Sequence, residues 1–215
     1  MFSKQTQDFF WELSFNNERP WFHAHKEEFE KLINEPFKRL GKETMDIMTE
    51  RFPADSLELH LSRIYRDARR LFGRGPYKDN LWFSIKDRAD GGERASFYFE
   101  ISAKGWGYGM GFWCPKAEQM NAFRKIIEVN PGRFERLARE IDAMPEFTVE
   151  GPEYKRPKGD FGECINNWYN RKWVSVCSDH DYGPDLYDER LPEKLADEFT
   201  KLFPMYEYLN KFSKI

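Results

Sequence analysis

One segment near the middle of the chain restricts the fold more than any other, because its apolar side chains recur at every second position. This period is that of a half-buried β-strand. A two-residue turn at Lys104-Gly105 predicts a hairpin at about 95–113, with antiparallel strands at about 95–103 and 106–113. In the register that this turn sets, both apolar sets lie on one face. They comprise Ala95, Phe97, Phe99, Ile101, Trp106, Tyr108, Met110 and Phe112.

The opposite face of this hairpin carries Tyr98 and Glu100 across from a row of glycines. A phenol and a carboxylate on a shallow floor are candidates for proton transfer. The glycines, Gly105 to Gly111 at every second position, do not have the spacing of a phosphate-binding fingerprint. We interpret them as positions where a helix or loop packs closely on the sheet.

Helical periodicity brackets the strands on both sides. Apolar residues at a spacing of 3.6 run through the first 51 positions, through 117–141, and from about Leu191 onward. Further strands are expected at Leu59–Arg66, Leu81–Lys86 and Trp173–Cys177. Because strands and helices do not alternate as βαβ units, we predict an α+β fold. We expect a central, mostly antiparallel sheet packed by N-terminal, middle and C-terminal helices, in a single domain over residues 1–215.

The composition narrows the function classes. Apolar residues make up 40% of the chain and aromatic residues 17%, which is enough for a core. The net charge of −3 argues against a globally basic nucleic-acid binder. No apolar run is long enough to span a membrane. The cysteines, Cys114, Cys164 and Cys177, form no CxxC pair, which predicts free thiols and a cytoplasmic protein.

The most basic stretch runs from His60 to Lys78, where six arginines and lysines stand against the single acid Asp67. Arginine binds planar oxyanions through two parallel hydrogen bonds, and the nearby glycines allow backbone N–H groups to approach a ligand. The alternative is a solvated loop whose arginines pair with the acidic segment 179–198. The first interpretation predicts a phosphate or carboxylate site at Arg63, Arg66, Arg69 and Lys78.

A second basic stretch, Tyr154–Gly159, lies in a loop rich in proline and glycine. We expect it to add Lys155, Arg156 and Lys158 to the same ligand. Both basic stretches stand out from an acidic chain, and neither holds enough acids to neutralise its own charge. We therefore predict that the two converge on one cleft, where an anionic ligand supplies the missing charge.

No metal or cofactor is expected. His23 and His25 are two apart in a predicted helix, so they point to nearly opposite faces and cannot readily share an ion. A zincin motif requires an i, i+4 spacing. The chain also lacks a P-loop, a dinucleotide-binding fingerprint and a GxSxG motif.

Four ordered motifs span nearly the whole chain. They are Asn16–Phe22 followed by His25-Lys26 and Phe29-Glu30, Arg63–Asp67 with Gly75–Lys78, Phe97–Ser102 with Gly105 and Gly109–Gly111, and Lys155–Gly159. In these motifs the sequence resembles the family known as domain of unknown function 2461. The family implies a fold and a soluble, bacterial type of protein, and it implies no activity.

The chain departs from the family pattern in two places. Arg69 is followed by Arg70-Leu71 where the pattern has Phe-Ser, and Gly73-Arg74 replaces Asp-Lys. After Gly159, Asp160–Cys164 replaces a run similar to Asp-His-Pro. Both departures border the predicted site, so the ligand is expected to differ from that of relatives.

Three functional hypotheses remain open. In the first, the chain binds an anionic small molecule, with Asp67, Tyr77 and Glu100 as candidate catalytic groups. In the second, it binds nucleic acid, with Tyr77 or Trp168 stacking on a base and phosphates contacting Arg66, Arg69, Arg70, Arg74, Lys155 and Lys158. In the third, it is a structural or interaction protein without catalytic activity.

Overall fold

The computed structural model describes residues 1–67, 69, 71, 73–88, 94–112 and 115–211, with the backbone alone at position 211. Among these residues, no helix is both long enough and apolar enough to cross a membrane. A π-helical turn, Glu30–Asn34, separates α3 from α4. The helices are α1 Lys4–Phe15, α2 Arg19–Ala24, α3 Lys26–Phe29, α4 Glu35–Arg51, α5 Ala117–Val129, α6 Pro131–Asp142, α7 Glu163–Tyr169, α8 Pro184–Tyr187 and α9 Leu191–Lys211.

Six strands form one antiparallel sheet in the order β1-β2-β3-β4-β6-β5. Helices and strands follow one another without βαβ units, so the α+β prediction is confirmed. The strands are β1 Leu57–Leu61, β2 Asn80–Asp87, β3 Ser96–Ser102, β4 Gly105–Gly111, β5 Thr148–Glu150 and β6 Ser175–His180.

The chain divides into two compact units. The expectation of a single domain over residues 1–215 stays a prediction. The first unit comprises Met1–Ile85, Tyr98–Gly107 and Asp179–Ala196, and the second comprises Lys86–Phe97, Tyr108–Ser178 and Asp197–Ile215.

The core of the first unit is built from aromatic rings of the N-terminal helices and of β2 and β3. Phe83 lies 5.9 Å from Phe37 of α4 and 5.3 Å from Phe99, measured between ring centroids. Phe22 of α2 stacks on Tyr77 at 4.1 Å. Burying one such side chain contributes about 1.5–3 kcal/mol, so a few of these rings anchor the helices firmly to the strands.

The core of the second unit has the same aromatic character. Phe97 of β3 stacks on Phe199 and Tyr206 of α9, at 5.0 and 4.4 Å between centroids. Phe134 of α6 meets Trp168 of α7 edge to face at 5.6 Å. Helix α7 was not predicted from the sequence, although its buried residues recur at the helical spacing.

The predicted hairpin is confirmed, with one correction. Phe97, Phe99, Tyr108 and Phe112 are all buried. The turn consists of residues 103 and 104, one residue earlier than predicted, because β4 already begins at Gly105. A Cβ atom on that glycine would lie 2.5 Å from the carbonyl oxygen of His180. Glycine is therefore required at position 105 by the close approach of His180, and not by the turn. Moving a two-residue turn by one position shifts each partner by two, and every side chain keeps its face.

Gly109 and Gly111 of β4 contradict the interpretation that a helix or loop packs there. Their close neighbour is the backbone of β6. A Cβ on Gly111 would lie 2.7 Å from Cα of Ser175, and one on Gly109 would collide with the carbonyl oxygen of Val176. Glycine is therefore required here by the approach of a neighbouring strand.

Two strands, β1 and β6, depart further from their predicted limits than the others do. β6 begins at Ser175 rather than at Trp173. β1 ends at Leu61, whereas the sequence predicted a strand to Arg66. The ladder changes at Ser62, whose N–H donates to the carbonyl of Trp82 while its hydroxyl accepts the N–H of Trp82. A side chain thus takes the place of a backbone acceptor, and the regular strand stops.

Candidate functional site

The most basic stretch folds as a connection between β1 and β2, called here the arginine loop (residues 62–79). Its two ends pair with each other. The N–H of Arg66 donates to the carbonyl of Pro76 at 2.8 Å, and the N–H of Lys78 donates to that of Ile64 at 2.7 Å. Tyr65 and Tyr77 form the bridge between these bonds. The loop therefore leaves and rejoins the sheet at a fixed point.

A single asparagine from the end of α1 holds the second arm of this loop. Asn17 Oδ1 accepts the N–H of Tyr77 at 2.9 Å, and Asn17 Nδ2 donates to the carbonyl of Tyr77 at 3.0 Å. The amide thus pairs with both backbone groups of one residue, as a neighbouring strand would. A Cβ on Gly75 would collide with this amide, so Asn17 also explains the glycine.

Arg66 serves mainly to hold the loop. Its Nε donates to the carbonyl of Tyr77 at 2.7 Å, and its second guanidinium nitrogen pairs with Asp79 at 2.9 Å. The side chain is only 15% exposed. Because Tyr77 and Asp79 already accept hydrogen bonds from its Nε and one terminal nitrogen, Arg66 offers few unused donors to a ligand.

Arg69 and Asp67 satisfy each other. Arg69 binds both carboxylate oxygens of Asp67, at 3.0 and 2.7 Å, and its backbone N–H also donates to Asp67. The arginine side chain is 88% exposed. A carboxylate engaged in this way is a poor proton acceptor, because its charge is already stabilised by hydrogen bonds.

Arg63 and Lys78 differ from the other cations. Among the residues that the structure describes, neither has a carboxylate within salt-bridge distance. Lys78 Nζ lies 5.9 Å from the centre of the Trp82 ring. Burial lowers the pKa of Lys78, and the neighbouring Arg66 and Arg63 lower it further. The loop therefore brings positive charges together with less counter-charge than they need.

The three candidate catalytic groups occupy different surroundings. Asp67 is engaged by Arg69, as described above. The Tyr77 ring is 1% exposed and stacks on Phe22, and burial raises the pKa of its hydroxyl. Only Glu100, half-buried on β3, is both reachable from solvent and without a cationic partner among the described residues.

Glu100 has the electrostatics of a proton-transfer group. Burial raises the pKa of its carboxyl, a hydrogen bond from Asn80 opposes that change, and Asp179 and Asp79 add to it by charge repulsion. Asn80 opens β2, so the carboxyl lies beside the strand that follows the arginine loop. A carboxyl with a raised pKa suits general acid–base chemistry near neutral pH.

The late basic loop, Tyr154–Gly159, belongs to the second unit. The backbone N–H groups of Lys158 and Gly159 are already hydrogen-bonded within this unit. Asn170 Oδ1 accepts the N–H groups of Lys158 and Gly159 at 2.7 and 3.3 Å, and Asn170 Nδ2 donates to the carbonyl of Gly159. Lys155 and Arg156 are exposed, and Lys158 Nζ lies 4.7 Å from the ring centre of Tyr154. The loop offers side-chain cations, while these N–H groups do not form an anion cradle. Its convergence with the arginine loop stays a prediction.

Sequence reasoning missed Arg124, a buried cation that organises this late loop. Its side chain, on α5, donates to the carbonyls of Tyr169, Met120 and Arg171 at 2.9–3.1 Å. It lies over the Tyr154 ring at 5.1 Å, and the residue is 5% exposed. The available signal was an arginine on the apolar stripe of a predicted helix.

The residues of the nucleic-acid hypothesis are placed as follows. The two rings expected to stack on bases, Tyr77 and Trp168, are 1% and 0% exposed. Arg74 is exposed, and Arg70 lies outside the described residues.

Of the three cysteines, Cys114 lies outside the described residues. The other two, Cys164 and Cys177, form no disulfide, as predicted.

These features describe an α+β protein whose basic loop is held at Tyr77 by Asn17, which follows α1, and lies near a half-buried carboxyl on β3. A family profile described as "Conserved hypothetical protein (DUF2461)" matches residues 5–208. Because the match covers nearly the whole chain, this protein belongs to that family, and the resemblance found in the sequence is confirmed. A comparison with curated proteins finds no match.

Proposed function

We propose that this protein binds an anionic small molecule, bearing a phosphate or carboxylate group, at the arginine loop. The carrying observation is that Arg63 and Lys78 lack a carboxylate partner among the described residues, although Arg63 and Arg66 both lie close to Lys78. Of these three cations only Arg66 has a counter-ion, Asp79, and an excess of like charge held together is unfavourable. A bound anion relieves this repulsion, and the loop geometry keeps the cations in place without it.

The structure supports a division of roles among the residues expected from the sequence. Arg63 and Lys78 contact the anion, while Arg66 shapes the loop and adds charge. Arg69 is hydrogen-bonded to Asp67 and does not contact the anion in this proposal. Glu100 is the group best suited to exchange a proton with a bound ligand. The late loop would add Lys155, Arg156 and Lys158 if the predicted convergence holds. The free cysteines favour a cytoplasmic location.

Phosphate binding to the purified full-length protein tests the proposal. We expect calorimetric titration at constant ionic strength to give saturable binding, and Lys78→Gln to weaken it by about 10- to 100-fold. This range corresponds to losing one charge-assisted contact of about 1.5–3 kcal/mol. Lys42→Gln is the matched control, because Lys42 is an exposed lysine of α4 in the same unit.

Two results would overturn the proposal. One is the absence of saturable binding by phosphate and by simple carboxylates. The other is equal weakening in Lys78→Gln and Lys42→Gln, which would indicate a general charge effect. Retention of single-stranded nucleic acid with a steep salt dependence, lost in Arg74→Gln, would favour the nucleic-acid hypothesis instead.

A further inference from the structure

We propose that the ligand of the arginine loop is dipolar, with its anionic group at Arg63 and Lys78 and an ammonium group at the carboxylate of Glu100. This inference rests on the anion-binding function proposed above and names the class of ligand. It predicts amino acids, aminoalkyl phosphates or similar short molecules, and it disfavours simple anions.

The two poles of the site lie side by side on the sheet. Asn80 and Trp82 occupy alternate positions along β2, so they project to the same side, while Lys78 precedes the strand by two residues. Lys78 Nζ lies 5.9 Å from the centre of the Trp82 ring, which places the lysine beside β2. Asn80 is hydrogen-bonded to Glu100 on the adjacent strand β3. Two positions along a strand span about 7 Å, so a short molecule reaches from one pole to the other.

Within the described residues, the internal pairing of charges leaves Arg63 and Lys78 unmatched among the cations of the site, and Glu100 unmatched among its carboxylates. Arg66 and Asp79 pair at 2.9 Å, which neutralises the charges between the poles. Within the described part of the chain, Lys78 has no carboxylate and Glu100 has no lysine or arginine at salt-bridge distance. A carboxylate has about four lone-pair positions, and Asn80 uses one of them.

The surroundings of Glu100 favour a cation over any other occupant. Burial is the first cause of the raised pKa of Glu100, and charge repulsion from Asp179 and Asp79 raises it further, so the carboxylate lacks a compensating positive charge. An ammonium group would supply the opposite charge and donate up to three hydrogen bonds. A purely anionic ligand gains nothing from this pole and is repelled by it, so the site discriminates between the two classes.

Ethyl phosphate and 2-aminoethyl phosphate provide a matched pair of probes, because they share the anion and differ in the amine. We expect the wild-type protein to bind 2-aminoethyl phosphate about tenfold more tightly in calorimetry. Glu100→Gln should remove this preference and leave ethyl phosphate binding intact or tighter. Lys78→Gln should weaken both probes. Glu28→Gln, an exposed carboxyl of α3, is the control and should change neither affinity.

The possible failures are distinguishable. If ethyl phosphate binds and the amine adds nothing, the dipolar ligand is excluded while the anion site stands. If neither probe binds, the anion site fails and the dipolar ligand fails with it. If Glu100→Gln retains the preference for the amine, Glu100 is not the ammonium pole. The comparison in wild type is decisive even if a variant does not fold.

Discussion

Asn210, near the end of α9, offers a sharp test of how the second unit is held together. Its Oδ1 accepts the N–H of Ala95, its Nδ2 donates to the carbonyl of Ala95, and both distances are 3.1 Å. The side chain is 93% buried, since the residue is 7% exposed. Asn210→Asp keeps the shape and removes the side-chain donor of this pair, so an oxygen replaces the nitrogen that faces the carbonyl of Ala95.

The cost of this change can be bounded. The introduced carboxyl restores the lost hydrogen bond only when it is protonated. Holding a carboxyl with an ordinary pKa of about 3.9 in its neutral form at pH 7 costs about 4 kcal/mol. Remaining charged instead costs about 3–5 kcal/mol, as for other buried, unpaired ions. We therefore expect a loss of about 3–4 kcal/mol, or about 6–16 °C in Tm for a chain of this size.

The pH dependence follows from the same reasoning. Burial raises the pKa of the introduced carboxyl above its unfolded value. Below about pH 4 the introduced carboxyl is neutral and contributes its full hydrogen bonding to the free energy of unfolding. That contribution is lost as the pH rises toward 7. The gap in Tm between wild type and Asn210→Asp should accordingly widen from pH 4 to pH 7. Thermal unfolding followed by circular dichroism at both pH values measures it.

Asn121→Asp is the matched control. Asn121 is exposed, and its Oδ1 accepts a hydrogen bond from the buried Arg124 at 3.3 Å. The same substitution here offers a carboxylate to a cation that has none among the described residues, so stability should stay unchanged or rise slightly. Equal losses in the two variants, or a gap for Asn210→Asp that does not depend on pH, would refute the argument.

Two further stability predictions concern single positions. Gly109→Ala should lower stability by more than about 2 kcal/mol, because the new Cβ collides with Val176, whereas Gly132→Ala, with open space around it, should gain about 0.5–1 kcal/mol in urea unfolding. Glu100→Gln should raise Tm at pH 7, since the raised pKa of Glu100 means that its charge destabilises the fold; the gain should vanish below about pH 4, where both side chains are neutral. A gain that persists there would indicate a packing effect.

The sequence predicted those parts of the fold that depend on side-chain period. The hairpin, helices α5 and α6 and the C-terminal helix follow directly from alternation at two or 3.6 residues. It did not predict the position of the turn, because the spacing cannot reveal that Gly105 must avoid His180. It also missed the end of β1, where one serine hydroxyl replaces a backbone acceptor.

The sequence predicted where the candidate site lies but not which role each of its residues has. Charge density located the arginine loop, and alternation placed Glu100 on the polar face of β3. Which cations remain unpaired depends on contacts between neighbours in space. Asp67 engages Arg69 and Asp79 engages Arg66, and only the folded loop separates these cations from Lys78. Arg124 was overlooked because a buried arginine satisfied by carbonyls leaves no motif.

Three asparagines each pair with both backbone groups of one residue, and these pairs explain part of the family motifs. Asn17 pairs with both backbone groups of Tyr77, Asn170 with those of Gly159, and Asn210 with those of Ala95. An amide has one donor and one acceptor at the spacing of a peptide group, so each such pair closes a gap that no strand fills.

One of these pairs joins two motifs directly, because Asn17 lies in the N-terminal motif and Tyr77 in the central one. A second pair fixes Gly159, which ends the late motif. A motif built this way records how loops are fixed, so its presence alone does not identify a reactive group. The lysine of the central motif is the informative exception. Lys78 follows Tyr77 directly, and it has no ion-pair role among the described residues. The backbone pairing of Tyr77 therefore sets the position of Lys78, which with Arg63 of the same motif is left for a ligand.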